Sequence, residues 1–178
     1  MRVLAGIYKS KKIETINSSD TRPMMSKVRE AIFNSIQFMI EKKDILDLYS
    51  GSGSLGIEAL SRGANYVTFV DFSKECILIL KKNVESMSNN LSIVNSSVNS
   101  FIKNSINKYQ LIFYDPPFEL DTEIVNEEIL IIENILNDQG LLIIHRHKSS
   151  EEIYFSKNYE LHREKNYGQS KILILRRI

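Results

Sequence analysis

The sequence predicts an α/β fold, a mostly parallel sheet with helices on both faces and an antiparallel pair at its end. Three observations predict it. From Asp44 onward, short apolar runs alternate with helical patterns, as in strands joined by crossover helices. One of those runs leads into Gly51-Ser52-Gly53-Ser54-Leu55-Gly56, a glycine turn opening a helix. Near the C-terminus two extended runs flank Gly168-Gln169-Ser170 and read as a hairpin.

The elements follow in order. Residues 2–8 and 12–16 read as a short hairpin with Lys9-Ser10-Lys11 as its turn. Residues 17–23 are polar, end in Pro23 and read as a loop. Ser26 is placed to cap a helix running to about Ile40. Val28, Ile32, Ile36 and Met39 form its apolar stripe, with Lys27, Arg29 and Glu30 off it. Strands are predicted over 45–49, 66–70, 91–95, 111–114 and 141–144. Helices are predicted over 55–62, 73–87, 98–104 and 122–137, the last with Ile124, Glu128, Ile131 and Ile135 on successive turns and Ile132 and Leu136 widening its apolar side. The final hairpin pairs 159–167 with 171–177. Residues 1–40 form an N-terminal extension and 41–178 the main domain.

The bulk numbers narrow the class. At 178 residues the chain suits one domain plus a small extension. Its one cysteine, Cys76, excludes an intrachain disulfide, suits a reducing cytoplasm and reads as a small buried apolar residue. No apolar run approaches the roughly 18 residues needed to span a bilayer, and residues 1–12 do not read as a secretory signal. Residues 1–43 carry nine Lys/Arg against four Asp/Glu, and the remaining 135 carry fourteen against eighteen. A basic front end on a mildly acidic body fits either docking on a polyanion or a solvated basic face.

The glycine loop points to a ligand beyond the carboxyl ends of the strands. Gly51-x-Gly53-x-x-Gly56 also matches the dinucleotide fingerprint, so the neighbouring acids decide. Asp47 lies in the strand four residues before Gly51, where a carboxylate repels a pyrophosphate and holds an ammonium; it also suits bracing the loop. Asp71 ends the second strand, twenty residues after Gly51, where it can accept both hydroxyls of a ribose. Ammonium and ribose together describe S-adenosylmethionine. Phe72 suits either packing on the adenine or ordinary packing at a helix start.

Leu111-Ile112-Phe113-Tyr114-Asp115-Pro116-Pro117-Phe118 is the sharpest signal. Prolines fix φ and remove amide donors, so the turn presents acceptors only. Acceptors suit a planar –NH₂ substrate: Asp115 takes one amino hydrogen and a carbonyl of the Pro116-Pro117 turn the other, and Phe118 stacks on the base, which makes Asp115, Pro116, Pro117 and Phe118 the candidate catalytic residues. The alternative is a strand-ending turn with a capping acid and a packed aromatic. No metal-ligand cluster is evident.

These residues bring out a family. The chain resembles the bacterial 16S ribosomal RNA guanine-N2 methyltransferases of the RsmD type along nearly its whole length. The likeness includes Arg2-Val3-Leu4-Ala5-Gly6, Thr21-Arg22-Pro23 and Val28-Arg29-Glu30-Ala31-Ile32-Phe33-Asn34. It continues through residues 47–64, Asp115-Pro116-Pro117-Phe118 and Tyr167-Gly168. The resemblance implies a Rossmann-like class I methyltransferase with seven strands in the order 3-2-1-4-5-7-6, the last strand antiparallel. It implies S-adenosylmethionine held by Asp47, Ser50, Gly51, Gly53, Asp71, Phe72, Ser97, Val98 and Asp115. It implies a guanine in the 16S RNA of an assembled or nearly assembled small subunit, with Lys9, Lys11, Lys12, Arg22 and Arg29 meeting phosphates. A monomer is expected. Lys9-Ser10 replaces the family's common arginine-glycine pair, and Met24-Met25 its usual polar pair. Ser97 stands where Asp or Asn is common, and His145 where an acid is common. His145, His147 and His162 receive no role.

Other readings compete with this one. An amino methyltransferase acting on adenine N6 or on a protein glutamine uses the same acceptor-rich tetrad, although such enzymes more often open it with Asn and close it with Tyr. A non-catalytic RNA-binding module on this fold conflicts with the intact Gly51, Gly53, Asp71 and Asp115. A dehydrogenase lacks any hydride-transfer site here.

Overall fold

The computed structural model describes residues 1–15 and 26–178. Seven strands form one sheet: β1 (Asp44–Leu48), β2 (Tyr66–Asp71), β3 (Leu91–Asn95), β4 (Tyr109–Tyr114), β5 (Leu136–His147), β6 (Tyr159–Tyr167) and β7 (Ser170–Arg177). Their order is β3-β2-β1-β4-β5-β7-β6, as expected. Strands β1 to β5 pair in parallel, and β7 runs antiparallel to both neighbours.

The central strands are apolar throughout because both faces are covered. Successive side chains alternate between faces. Ile45, Leu111, Phe113 and Ile143 point into one core, with α1 (Ser26–Ile36), α2 (Ser54–Ser61) and α3 (Lys74–Val84). Leu46, Leu48, Ile112, Tyr114 and Ile144 point into the other, with α4 (Val98–Asn104) and α5 (Thr122–Ile132). Cys76 is buried on α3, as expected. No helix among the described residues is long and apolar enough to cross a membrane.

From β1 the chain moves outward one way to β2 and β3, then returns to lay β4 on the other side of β1. That reversal opens a crevice at the carboxyl ends of β1 and β4, where open α/β sheets bind ligands.

Three elements differ from expectation. The first hairpin shrinks to a single antiparallel bridge, Arg2↔Lys12. Leu4 and Ala5 cannot extend it because their amides donate to Glu58 on α2, at 2.7 and 3.0 Å. Val3 and Ile13 are buried in the same core as α1 and the sheet, so the front end shares the domain's interior. Helix α1 ends at Ile36 rather than near Ile40; the chain then turns, with the Met39 amide donating to the Ile36 carbonyl at 2.8 Å. Helix α5 stops at Ile132, a 3₁₀ turn covers Glu133–Ile135, and β5 begins at Leu136. No glycine or proline marks that break; the pairing of Leu136 with Tyr109 overrides the helical pattern. The buried face of α5 is Val125, Glu128, Ile129 and Ile132, and Ile124 faces outward.

Candidate active site

Tyr49 begins the site. It is a non-glycine residue with φ +57°, which bends the chain sharply out of β1. That conformation costs roughly 1–3 kcal/mol and needs an anchor. The anchor is Glu128 of α5, buried, whose carboxylate accepts the Tyr49 hydroxyl at 3.0 and 3.2 Å and the Tyr114 hydroxyl at 2.7 Å. Burial pushes the Glu128 carboxyl above its ordinary range, and the two tyrosine bonds pull it back. The two tyrosine rings meet edge to face at 5.7 Å. One buried acid thus ties the start of the glycine loop to the last residue before the tetrad.

The loop itself is held by the acids that the sequence singles out. Gly51 N–H donates to Asp71 Oδ2 and Ser73 N–H to Asp71 Oδ1, both at 2.8 Å. Gly51 has φ +53°, and a Cβ added there would stand in open space. At Gly53, φ is +82° and a Cβ would strike Leu80 at 2.3 Å, so this glycine serves packing as well as approach. Gly56 lies so close to β2 that a Cβ would meet Phe69 at 2.2 Å.

Asp47 is 1% exposed, and its Oδ2 accepts the Gly56 amide at 2.8 Å. The structure therefore gives Asp47 the bracing role at the start of α2. Burial raises its carboxyl well above the usual range; Asp115 and Asp71 push the same way. Asp71 and Asp115 therefore lie close enough for their charges to bear on the buried Asp47. Ser50 is buried, and its Oγ has no partner among the described residues. Phe72 is 67% exposed. Ser97 caps α4 by accepting the Ser100 amide at 3.3 Å, and Val98 is buried.

The tetrad turns out of β4 beside this loop. Leu48 of β1 pairs with Tyr114, and the Asp115 amide still reaches the Leu48 carbonyl at 3.4 Å. Asp115 Oδ1 meets His145 Nδ1 at 2.7 Å, and Oδ2 has no partner among the described residues. The Pro116 carbonyl likewise takes no bond from them. Pro117 departs from its expected catalytic place: its carbonyl accepts Leu120 N–H at 3.0 Å and Arg146 Nη1 at 2.9 Å. It fixes the turn and has no acceptor aimed at a substrate. Phe118 is half-buried, edge-on to the His145 and His147 rings at 5.1 and 5.4 Å. With Glu119, His147, Ser149 and Ser150 it lines an open hollow of about 360 Å³.

The basic residues expected to meet phosphate divide. Lys9 and Lys12 are exposed, and Lys11 is half-buried with its ammonium on Ser86 Oγ. Their turn is anchored where α2 ends, the Ile7 and Tyr8 amides donating to Ser61. It therefore lies about one helix length, roughly 12 Å, from the glycine loop that starts α2. Arg29 is a correction: it is fully buried, its guanidinium donating to the Arg2 carbonyl and to Met1 Sδ. It clamps the N-terminus to α1 and cannot meet a phosphate. Arg22 lies outside the described residues.

Comparison with known proteins places the arrangement. A family model described as "Conserved hypothetical protein 95" matches residues 1–176. A Haemophilus influenzae protein named ribosomal RNA small subunit methyltransferase D is 32% identical, over 94% of this chain and 89% of its own. The chain belongs to the ribosomal RNA small subunit methyltransferase D family. The Escherichia coli K12 member of that name is 31% identical, over 95% of this chain and 86% of its own. The solved structure of yhhF from Escherichia coli superposes with a TM-score of 0.89 at 30% identity, covering 99% of this chain and 97% of that one.

Within this family member, four site residues escaped the sequence reading: His145, Arg146, Glu128 and Ser170. His145 and Arg146 follow Ile144, the register partner of Tyr114, so they stand level with the tetrad. Only the β4–β5 register reveals that. The signal for Glu128 was a lone acid in an otherwise apolar helical stripe.

Proposed function

We propose that this protein transfers the methyl group of S-adenosylmethionine to the exocyclic N2 amine of a guanine in small-subunit 16S ribosomal RNA. One observation carries the reading. The glycine loop and the Asp-Pro-Pro-Phe turn share the β1/β4 crevice, and among the described residues Asp115 Oδ2 and the Pro116 carbonyl are two uncommitted acceptors beside it. Family membership supports the ribosomal RNA substrate.

The residues present fit the donor. Gly51 leaves open space where a side chain would stand, and Ser50 Oγ is a buried group without a partner among the described residues. Asp71 spends one lone pair of Oδ2 on the loop and one of Oδ1 on the Ser73 amide, and retains others for ribose hydroxyls. Asp71 and Asp115, the acids at the ends of β2 and β4, suit a ligand carrying positive charge. Phe72 stands exposed beside Asp71, in place to cover an adenine. When bound, S-adenosylmethionine supplies a methyl carbon activated by positive sulfur; the N–C bond forms as the C–S bond breaks and its electron pair stays on sulfur.

The protein's part is orientation. Asp115 Oδ2 and the Pro116 carbonyl take the two amino hydrogens and turn the nitrogen lone pair toward the donor, and Phe118 stacks on the base. The surplus proton leaves by Asp115, whose side chain is 27% exposed. A base in folded RNA must swing out to reach this pocket, at a few kcal/mol. Contacts from Lys9 and Lys12 to phosphates flanking the base help offset that.

Replacing Asp115 with Ala tests the reading. Transfer to small-subunit particles falls by on the order of 100-fold or more, and calorimetry shows S-adenosylmethionine affinity within a few-fold. Unchanged transfer contradicts the assignment. Failure of the unsubstituted protein to bind S-adenosylmethionine favours a non-catalytic module.

A further inference from the structure

His145 stands at the end of β5 and is buried. Its two ring nitrogens are both engaged. Nδ1 lies 2.7 Å from Asp115 Oδ1, and Nε2 lies 2.8 Å from Ser170 Oγ. Ser170 is also buried and is the first residue of β7, immediately after the Gly168-Gln169 turn. Three strands therefore meet in one line of polar groups: Asp115 after β4, His145 on β5 and Ser170 on β7.

We infer that His145 is a positioning residue for the methyl-transfer reaction, donating Nδ1–H to Asp115 Oδ1 so that Oδ2 is held toward the substrate amine, with Ser170 fixing the imidazole through Nε2. The inference deepens the proposed function and rests on it for the identity of the amine.

The chemistry selects this arrangement. An ionised carboxylate only accepts, so the nitrogen facing it must carry the proton. A ring nitrogen bonded on its far side is fixed in orientation and tautomer. The serine hydroxyl both donates and accepts, so it suits Nε2 as a neutral acceptor or as N–H. The Phe118 ring packs edge-on at 5.1 Å from the imidazole, which restricts the ring from the substrate side. Without His145, Asp115 would be free to rotate about its side-chain bonds. A misplacement of about 1 Å in a reacting group can lower a rate on the order of 100-fold.

The test has two independent arms, both on the full chain. In the first, long-range proton–nitrogen NMR on nitrogen-15 protein reads the His145 ring, assigned by its loss in His145→Asn. The account expects a protonated Nδ1 at the pH of the reaction. A bare Nδ1 with the proton on Nε2 overturns it. This arm needs no activity, so it decides the hydrogen bond even if the proposed substrate is wrong.

The second arm follows methyl transfer to small-subunit particles. Absence of transfer by the unsubstituted protein would sink the proposed function and leave the NMR result standing. With transfer present, His145→Ala lowers kcat roughly 10- to 100-fold and leaves KM for S-adenosylmethionine within about twofold. His145→Asn, which restores a donor of similar reach, recovers most of that loss. A kcat for His145→Ala within twofold of the unsubstituted protein overturns the inference. So does an asparagine variant no faster than a folded alanine variant.

Discussion

Arg146 donates Nη1 to the Pro117 carbonyl at 2.9 Å, tying the tetrad's turn to the strand beside it. Its Nη2 donates to the Leu120 carbonyl at 2.8 Å, and the residue is only 3% exposed. Replacing Arg146 with Met removes the donor of the Leu120 carbonyl and leaves the Pro117 carbonyl only the Leu120 amide, a loss of about 1–3 kcal/mol. Stability falls, and methyl transfer falls further than cofactor affinity, because the loosened turn carries Phe118 and not Gly51. Lysine recovers less than its charge suggests, since one ammonium lacks the planar fork that spans both carbonyls. Denaturant unfolding, calorimetry and steady-state kinetics on both variants check this.

The two loop glycines separate binding from folding. At Gly51 an added Cβ meets nothing within 4 Å, so the main cost of Gly51→Val is left-handed backbone strain, about 1–3 kcal/mol. It folds and loses S-adenosylmethionine binding. At Gly53 the added carbon strikes Leu80 at 2.3 Å and Phe69 at 3.3 Å. Gly53→Val therefore loses binding together with thermal stability. Melting curves with and without the cofactor distinguish the two. A Gly51→Val protein that binds normally contradicts the placement of the cofactor against this loop.

Asp47 gives a pH dependence whose sign is set by burial. Its folded carboxyl holds a proton more tightly than the unfolded one, so its contribution is fully present below about pH 4, the ordinary aspartate value. It is lost as pH rises from there toward the raised folded value. Asp47→Asn keeps an acceptor for the Gly56 amide and removes the charge. The stability of the variant relative to the unsubstituted protein therefore grows as pH rises above about 4. Urea midpoints at several pH values measure it, and parallel curves count against the buried acid.

The basic front end makes a salt-dependent prediction. Lys9 and Lys12 are exposed, whereas Lys11 is engaged with Ser86 and the Tyr8 ring. Changing Lys9 and Lys12 to Glu leaves the fold intact and weakens RNA binding more at low salt than at high. The slope of log affinity against log salt falls by roughly 0.7–0.9 for each phosphate that is no longer neutralised. An unchanged slope places the RNA elsewhere.

Much of this architecture was legible in the sequence because it rests on local chemistry. Strand-helix alternation, a glycine turn after β1, acids at Asp47, Asp71 and Asp115, and the Pro-Pro bend each declare themselves within a few residues. What escaped depends on register. His145 acquires its meaning only when β5 lies beside β4, and Ser170 only when β7 lies beside β5. Arg29 looked like a solvent-facing base because it lies, with Lys27 and Glu30, off the stripe of Val28, Ile32, Ile36 and Met39. It is instead buried against the chain's own first residues, a contact between segments 27 positions apart. The end of α5 escaped for the same reason, since a long-range strand pairing at Leu136 ended a helical pattern that its own residues would have continued.

The central claim is that this crevice methylates a guanine amine. Small-subunit particles from cells lacking the enzyme, incubated with the protein and labelled S-adenosylmethionine, then digested to nucleosides, test it most directly. The account predicts one labelled product, N2-methylguanosine, absent with Asp115→Ala. Label in N6-methyladenosine, or in ribosomal protein alone, contradicts it.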